Sequence, residues 1–197
     1  TAAGDLRLEA GSPVLEKGDS VPNPESRDLG DRLRVTDGDH GWTAEIDLGA
    51  HELGRLWFVD DSAGGTPTGL TWADAFLNLQ DALAVGVSGD EIRVAEGVYW
   101  PDLSDAGVND SNDPEATFQL LDDVALVGGY SDGGGSYDPA VFLAILSGDI
   151  GQDDTDGDAN SIAETTGDLA GTNSYSVVTG SGVNPGFLDG FFITAGK

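Results

Sequence analysis

The residues of this chain best placed to do chemistry are carboxylates. The run from Asp149 to Asn160 places Asp149, Asp153, Asp154, Asp156 and Asp158 around Gly151 and Gly157. Closely spaced Asp with glycine between lets several carboxylates and carbonyls converge on one hard cation, and calcium accepts such irregular oxygen shells. The run is not a complete EF-hand loop, because Asn160 stands where a bidentate Glu is needed. Two shorter stretches carry a weaker form of the signal: Asn109 to Glu115, with Asp110 and Asp113, and the triplet Asp37, Gly38, Asp39. In both, the competing account is a turn closed by Asx side chains onto their own backbone. Asp60 and Asp61, at the end of an apolar run, read as strand-end caps or as a ligand pair.

Catalytic constellations are sparse. Asp122 and Asp123 form an acidic pair, but a hydrolase needs two carboxylates at a set separation, and so many acids nominate no pair. The Asn-Thr-Asp, His-Gly and Arg-x-Lys motifs of polygalacturonase-type enzymes do not occur together; His40-Gly41 stands alone. A calcium-assisted lyase needs a base beside the metal, and beyond residue 55 the sequence offers only Arg93 and Lys197. No nucleophile elbow, P-loop or HExxH signature appears. A non-enzyme is therefore expected, with a polysaccharide lyase or hydrolase as the third reading.

Charge bounds the partners. The chain has 36 acids, 8 bases and a net charge of −28. That field repels phosphate backbones and anionic lipid, which argues against nucleic acid and membrane surfaces. Asp outnumbers Glu 27 to 9, a skew toward turns and short metal loops rather than helices. Calcium binding and adaptation to high salt both fit, whereas disorder does not, because the 39% of apolar residues cluster into strand-like runs. No stretch is apolar enough to span a bilayer. The chain lacks cysteine, which leaves the redox compartment open. Residue 1 is Thr and methionine is absent, so a processed product or a piece of a longer chain is expected.

The acids are unevenly spread. Residues 1–55 hold twelve acids and six bases, a net of −6, whereas residues 56–197 hold twenty-four acids and two bases, a net of −22. A boundary near 54 follows, with a small β-rich module at 1–54 and a second part at 55–197. The first part carries the basic patch Arg27, Arg32 and Arg34. The second opens on the apolar run Leu56 to Val59. One helix is expected from about Thr71 to Gly86, because Trp72, Phe76, Leu79 and Leu83 recur at helical spacing. Thr71 with Asp74 forms an acidic variant of a capping box. Short apolar runs bounded by glycine follow: 91–95, 118–121, 124–127, 144–147, 175–178 and 191–194. Such runs suit a parallel β-helix better than a doubly wound sheet, with a β-sandwich as competitor on pattern alone.

Several of these segments carry a resemblance. Residues 70–99, from Leu70-Thr71-Trp72 through Ala95-Glu96-Gly97-Val98-Tyr99, look like the opening of right-handed parallel β-helix repeat proteins, a group of bacterial secreted proteins. Val127-Gly128-Gly129-Tyr130, Leu146-Ser147-Gly148-Asp149, Val177-Val178-Thr179-Gly180 and Leu188-Asp189-Gly190-Phe191 match early coils of that family in order. Leu8-Glu9-Ala10-Gly11-Ser12-Pro13-Val14-Leu15, Gly18-Asp19, the Asp31, Arg32 and Arg34 stretch and Ile46-Asp47-Leu48-Gly49-Ala50-His51-Glu52 make residues 6–52 similar to the terminal module of such proteins, the choice-of-anchor Q type, which normally closes the C-terminal end and here comes first. The resemblance implies an all-β fold: a right-handed parallel β-helix, or solenoid, with one capping α-helix near 71–86 and a small β-rich N-terminal module. An ending module set ahead of an opening one fits a unit of a tandem array, a circularly permuted subunit or an arbitrary fragment. The first two imply copies or neighbouring repeat units joined head to tail, with Arg27, Arg32, Arg34, Phe191, Phe192 and Ile193 as the assembly residues. The expected function is an extracellular or cell-surface structural protein that self-assembles into a fibre, array or surface layer stabilised by calcium. The alternative is an adhesin that binds glycans, for which Trp100 beside Pro101 is the stacking candidate.

Overall fold

The computed structural model describes residues 54–104, 112–180 and 187–197. The first strand, β1 (Leu56–Val59), turns Trp57 and Val59 inward and leaves Leu56 and Phe58 half-exposed. Strand β2 (Glu91–Ala95) repeats the alternation, with Ile92 and Val94 buried and the ion pair Glu91–Arg93 outside at 2.6 Å. Strands β5 (Ala125–Tyr130) and β8 (Phe187–Asp189) complete a parallel sheet in the order β1-β2-β5-β8. Register stacks like on like: Trp57, Ile92, Leu126 and Leu188 form one column. A fully buried side chain of this size contributes about 1.5–3 kcal/mol.

A second parallel sheet joins β3 (Gly97–Tyr99), β6 (Ala144–Ser147) and β9 (Phe191–Thr194). A third pairs β4 (Phe118–Gln119) with β7 (Val178–Thr179). The three sheets share one core, in which Tyr99, Phe118, Leu126 and Leu146 are sealed from solvent. Two glycines permit a close approach where β5 passes the end of β8. A Cβ on Gly190, whose φ is +74°, would lie 2.2 Å from the carbonyl oxygen of Gly128, so no side chain fits there.

The expected right-handed parallel β-helix is corrected by this arrangement. The described residues form three small sheets of four, three and two short parallel strands plus one helix, and no closed solenoid. The reason is visible in the connections. Among the described residues, 100–104, 112–117 and 148–177 carry no strand, so strand-to-strand spacing does not settle into a coil repeat.

The helix is also shorter than its periodicity suggests. Helix α1 spans Leu79–Val85, buries Leu79, Ala82 and Leu83, and closes at Gly86, whose N–H donates to the Ala82 carbonyl at 2.9 Å. Its expected first two turns are drawn off by β1. The Phe76 N–H donates to the Phe58 carbonyl at 3.0 Å and the Asp60 N–H donates to the Phe76 carbonyl at 2.9 Å, a parallel bridge that extends the sheet. Thr71 and Asp74 do engage, the Asp74 N–H donating to Thr71 Oγ1 at 3.1 Å, but they cap an isolated turn. Trp72 accordingly packs on the sheet surface between Phe58 and Tyr130, with ring centroids 4.8 and 5.3 Å away.

Candidate functional site

The loop after β6 brings three of the sequence-nominated carboxylates together. Ligand-capable oxygens of Asp149, Asp153 and Asp154 all lie within 4.8 Å of one another. Asp149 organises the turn: its two carboxylate oxygens accept the backbone N–H groups of Asp153 and Asp154 at 3.1 and 3.2 Å. Asp154 ties the loop to the body by accepting the Ala170 N–H at 2.5 Å and the side-chain amide of Asn173 at 2.8 Å. Asn173 is itself buried and also donates to the Ala195 carbonyl at 3.3 Å. Gly171, at φ +46°, keeps room for the trio, since a Cβ there would lie 2.1 Å from Asp153 Oδ2.

Burial pushes the Asp149 carboxyl above its ordinary value, against the lowering effect of those two N–H donors. Adjacent charges of Asp154 and Asp153 push the same way as burial. A divalent cation would relieve that repulsion, and three carboxylates with nearby carbonyls suit calcium. Asp156 and Asp158 stand apart from the trio. The Asp156 carboxylate accepts the N–H groups of Ser161 and Asp158 at 2.6 and 3.2 Å, and the Ser161 bond leads in holding it below the ordinary range.

A second group assembles across the fold: Asp60, Asp61 and Asp132. Asp60 is 1% exposed and accepts bonds from Ser62 N–H and Oγ–H at 2.9 and 2.6 Å and from Gly133 N–H at 2.8 Å. Partial desolvation first, then the charges of Asp132 and Asp60, raise the carboxyl of Asp61, a residue that stays exposed. Burial and the charges of Asp60 and Glu96 raise Asp132. The sequence flags Asp60 and Asp61, but Asp132 joins them only through the pairing of β2 with β5, which no local pattern announces.

The remaining nominations separate. Asp113 closes an Asx turn, its Oδ1 accepting the Glu115 N–H at 3.0 Å, and belongs to neither group. Asp37, Asp39, Asp110, Arg27, Arg32 and Arg34 lie outside the described residues, as does all of the 1–54 module except Gly54. Trp100 is half-buried and lines a cleft of about 240 Å³ together with Val98, Ile162, Asp149, Asp154 and Asp156.

The outermost strands are unusual. In the column Tyr99, Leu146, Ile193 the first two are buried, yet Ile193 is 52% exposed. Phe187 and Phe192 on the same side are 58% and 42% exposed. The opposite side of the first sheet differs, because residues around Gly69 and Phe76 hydrogen-bond along β1. Among the described residues no helix is long and apolar enough to cross a membrane.

Among the described residues, fold and site define short parallel sheets with two carboxylate groups that could hold a cation and exposed apolar side chains on the outermost strands β8 and β9, in a strongly acidic chain. No protein-family model, curated protein or solved structure matches the chain. The resemblance to β-helix repeat proteins and their terminal module therefore rests on the quoted motifs alone.

Proposed function

We propose that this chain is a non-catalytic structural module of an extracellular or cell-surface assembly, which adds copies of itself head to tail and is stiffened by calcium. The observation that carries the reading is the edge formed by β8 and β9. Ile193 continues a column whose inner members are sealed, so a further parallel strand would bury Ile193 and Phe187 and satisfy the outer backbone groups of β9. With the β1 side covered by residues around Phe76, the two ends differ, and a contact between unlike surfaces propagates rather than closing on itself.

The partner surface in this reading is the less acidic 1–54 module of the next copy, with Arg27, Arg32 and Arg34 facing the −22 body. Calcium enters at Asp149, Asp153 and Asp154, where it would fix the loop that links β6 to the body. Negative-stain microscopy of the whole chain tests the reading. Calcium-dependent filaments or arrays support it, and isolated particles at every calcium level refute it.

A further inference from the structure

The outer face of the first sheet carries a feature that neither the carboxylate groups nor the β9 edge uses. Alternation turns Trp57, Ile92 and Leu126 inward, so Phe58, Arg93 and Val127, which share one register row, stay half-exposed on the other side. Four aromatic rings meet in series across this face. Phe58 and Trp72 are 4.8 Å apart between centroids, Trp72 and Tyr130 5.3 Å, and Tyr130 and Tyr137 5.0 Å. None of the four is buried, and Tyr137 is 47% exposed. Among the described residues, neither the Trp72 indole N–H nor the Tyr130 hydroxyl has a hydrogen-bond partner. Amphipathic rings with a free donor suit a ligand that is apolar on one side and hydroxylated at its edge.

The charges on the face narrow the ligand. Arg93 lies 5.5 Å over the Tyr130 ring and is neutralised by Glu91 at 2.6 Å. Asp189, in the same register row, accepts the Tyr137 hydroxyl at 3.3 Å. An anionic ligand meets the net charge of −22 on residues 56–197 and finds no free cation on this face to hold it. A cationic ligand must compete with Arg93 for Glu91. A neutral sugar meets neither obstacle. Its C–H faces stack on rings, and its hydroxyls, donor and acceptor at once, can pair with the free N–H and O–H groups and with the carboxylates. Consecutive rings are tilted by 34–53° along the sheet, and by 47–53° within the series, so the four share no plane and a flat crystalline surface cannot lie on all of them. We propose that this face binds a single soluble chain of a neutral hexose polysaccharide. The site is separate from the β9 edge and stands whether or not the chain assembles.

Isothermal titration of the whole chain with cellohexaose, maltohexaose and mannohexaose, against a hexameric oligogalacturonate, tests the proposal. Saturable binding of at least one neutral hexamer, tighter than that of the acidic one, is expected. Tyr137→Ala, at an exposed position outside the core, should weaken it about three- to tenfold, the loss expected of one aromatic contact. Trp72→Phe keeps a ring, removes the free N–H and should also weaken binding. Both variants are checked for an unchanged unfolding midpoint, and if Trp72→Phe shifts it, Tyr137→Ala alone decides. Phe192→Asp with Ile193→Lys, which alters the β9 edge only, should leave sugar binding unchanged, so this site and the assembly reading can fail separately. No binding of any neutral hexamer, preference for the acidic one, or undiminished binding by Tyr137→Ala overturns the proposal. A mass change in light scattering for Tyr137→Ala without sugar binding also overturns it and makes the face a protein interface.

Discussion

The indole N–H of Trp57 donates to the carboxylate of Asp90 at 2.9 Å, joining β1 to the residue just before β2. Asp90 is 2% exposed and also accepts the backbone N–H groups of Arg55 and Val87 at 2.8 and 3.0 Å. One carboxylate thus closes three donors at the point where the first sheet, the helix exit and the chain entry meet. Replacing it strands buried donors, each costing about 1–3 kcal/mol. Asp90→Ala is expected to lose about 3 kcal/mol or more in urea unfolding, and Asp90→Asn about half of that. Trp57→Phe removes only one bond and is expected to cost less than Asp90→Ala.

Calcium should stabilise the folded chain through the loop after β6. At a concentration about a hundredfold above its dissociation constant, a ligand specific to the folded state adds about 2.7 kcal/mol. Thermal unfolding with and without calcium reads that gain directly. Asp153→Ala should abolish it with little effect on the calcium-free protein, because Asp153 is exposed and stands at the rim of the trio. Magnesium should give a smaller gain, since it demands near-octahedral geometry and gives up water reluctantly. An equal gain in Asp153→Ala would move calcium away from this loop.

The acidic groups set the pH response. Asp61, Asp132 and Asp149 have carboxyls raised in the folded state. The folded state therefore holds their protons more tightly than the unfolded state, and their stabilising effect is complete below the ordinary carboxylate value. That effect disappears as pH rises through the raised folded values. Asp156, with its carboxyl lowered, works in the opposite sense and loses its contribution as pH falls through the folded value. Through Asp61, Asp132 and Asp149, calcium-free protein should gain stability as pH falls through their raised folded values, a gain that Asp156 opposes only as pH falls through its own lowered value. Asp61→Asn should flatten this response and raise stability at pH 7, by up to about 1 kcal/mol at so exposed a position.

Much of the strand content was legible because alternation and glycine boundaries are local signals. The runs 56–59, 91–95, 144–147 and 191–194 coincide with β1, β2, β6 and β9. The helix start was not legible, because Trp72 and Phe76 keep helical spacing while Phe76 bonds to Phe58 across the sheet, a tertiary contact that overrides periodicity. The solenoid expectation failed for a related reason: glycine-bounded runs announce strands but not how long the chain wanders between them. At the site, Asp149, Asp153 and Asp154 could be nominated because they sit in one loop. Asp132 could not, since only the register of β2 and β5 brings its turn to Asp60. The cleft at Trp100 unites residues from 98 to 195 and leaves no trace in any one segment.

Assembly through the β9 edge is the central claim, and multi-angle light scattering on the whole chain in calcium tests it most directly. Mass should grow with protein concentration beyond the 20.2 kDa of one chain. The double variant Phe192→Asp and Ile193→Lys, which charges the exposed edge without entering the sealed core, should hold the mass at one chain. A wild-type chain that stays at 20.2 kDa across the concentration range, with and without calcium, would contradict the account.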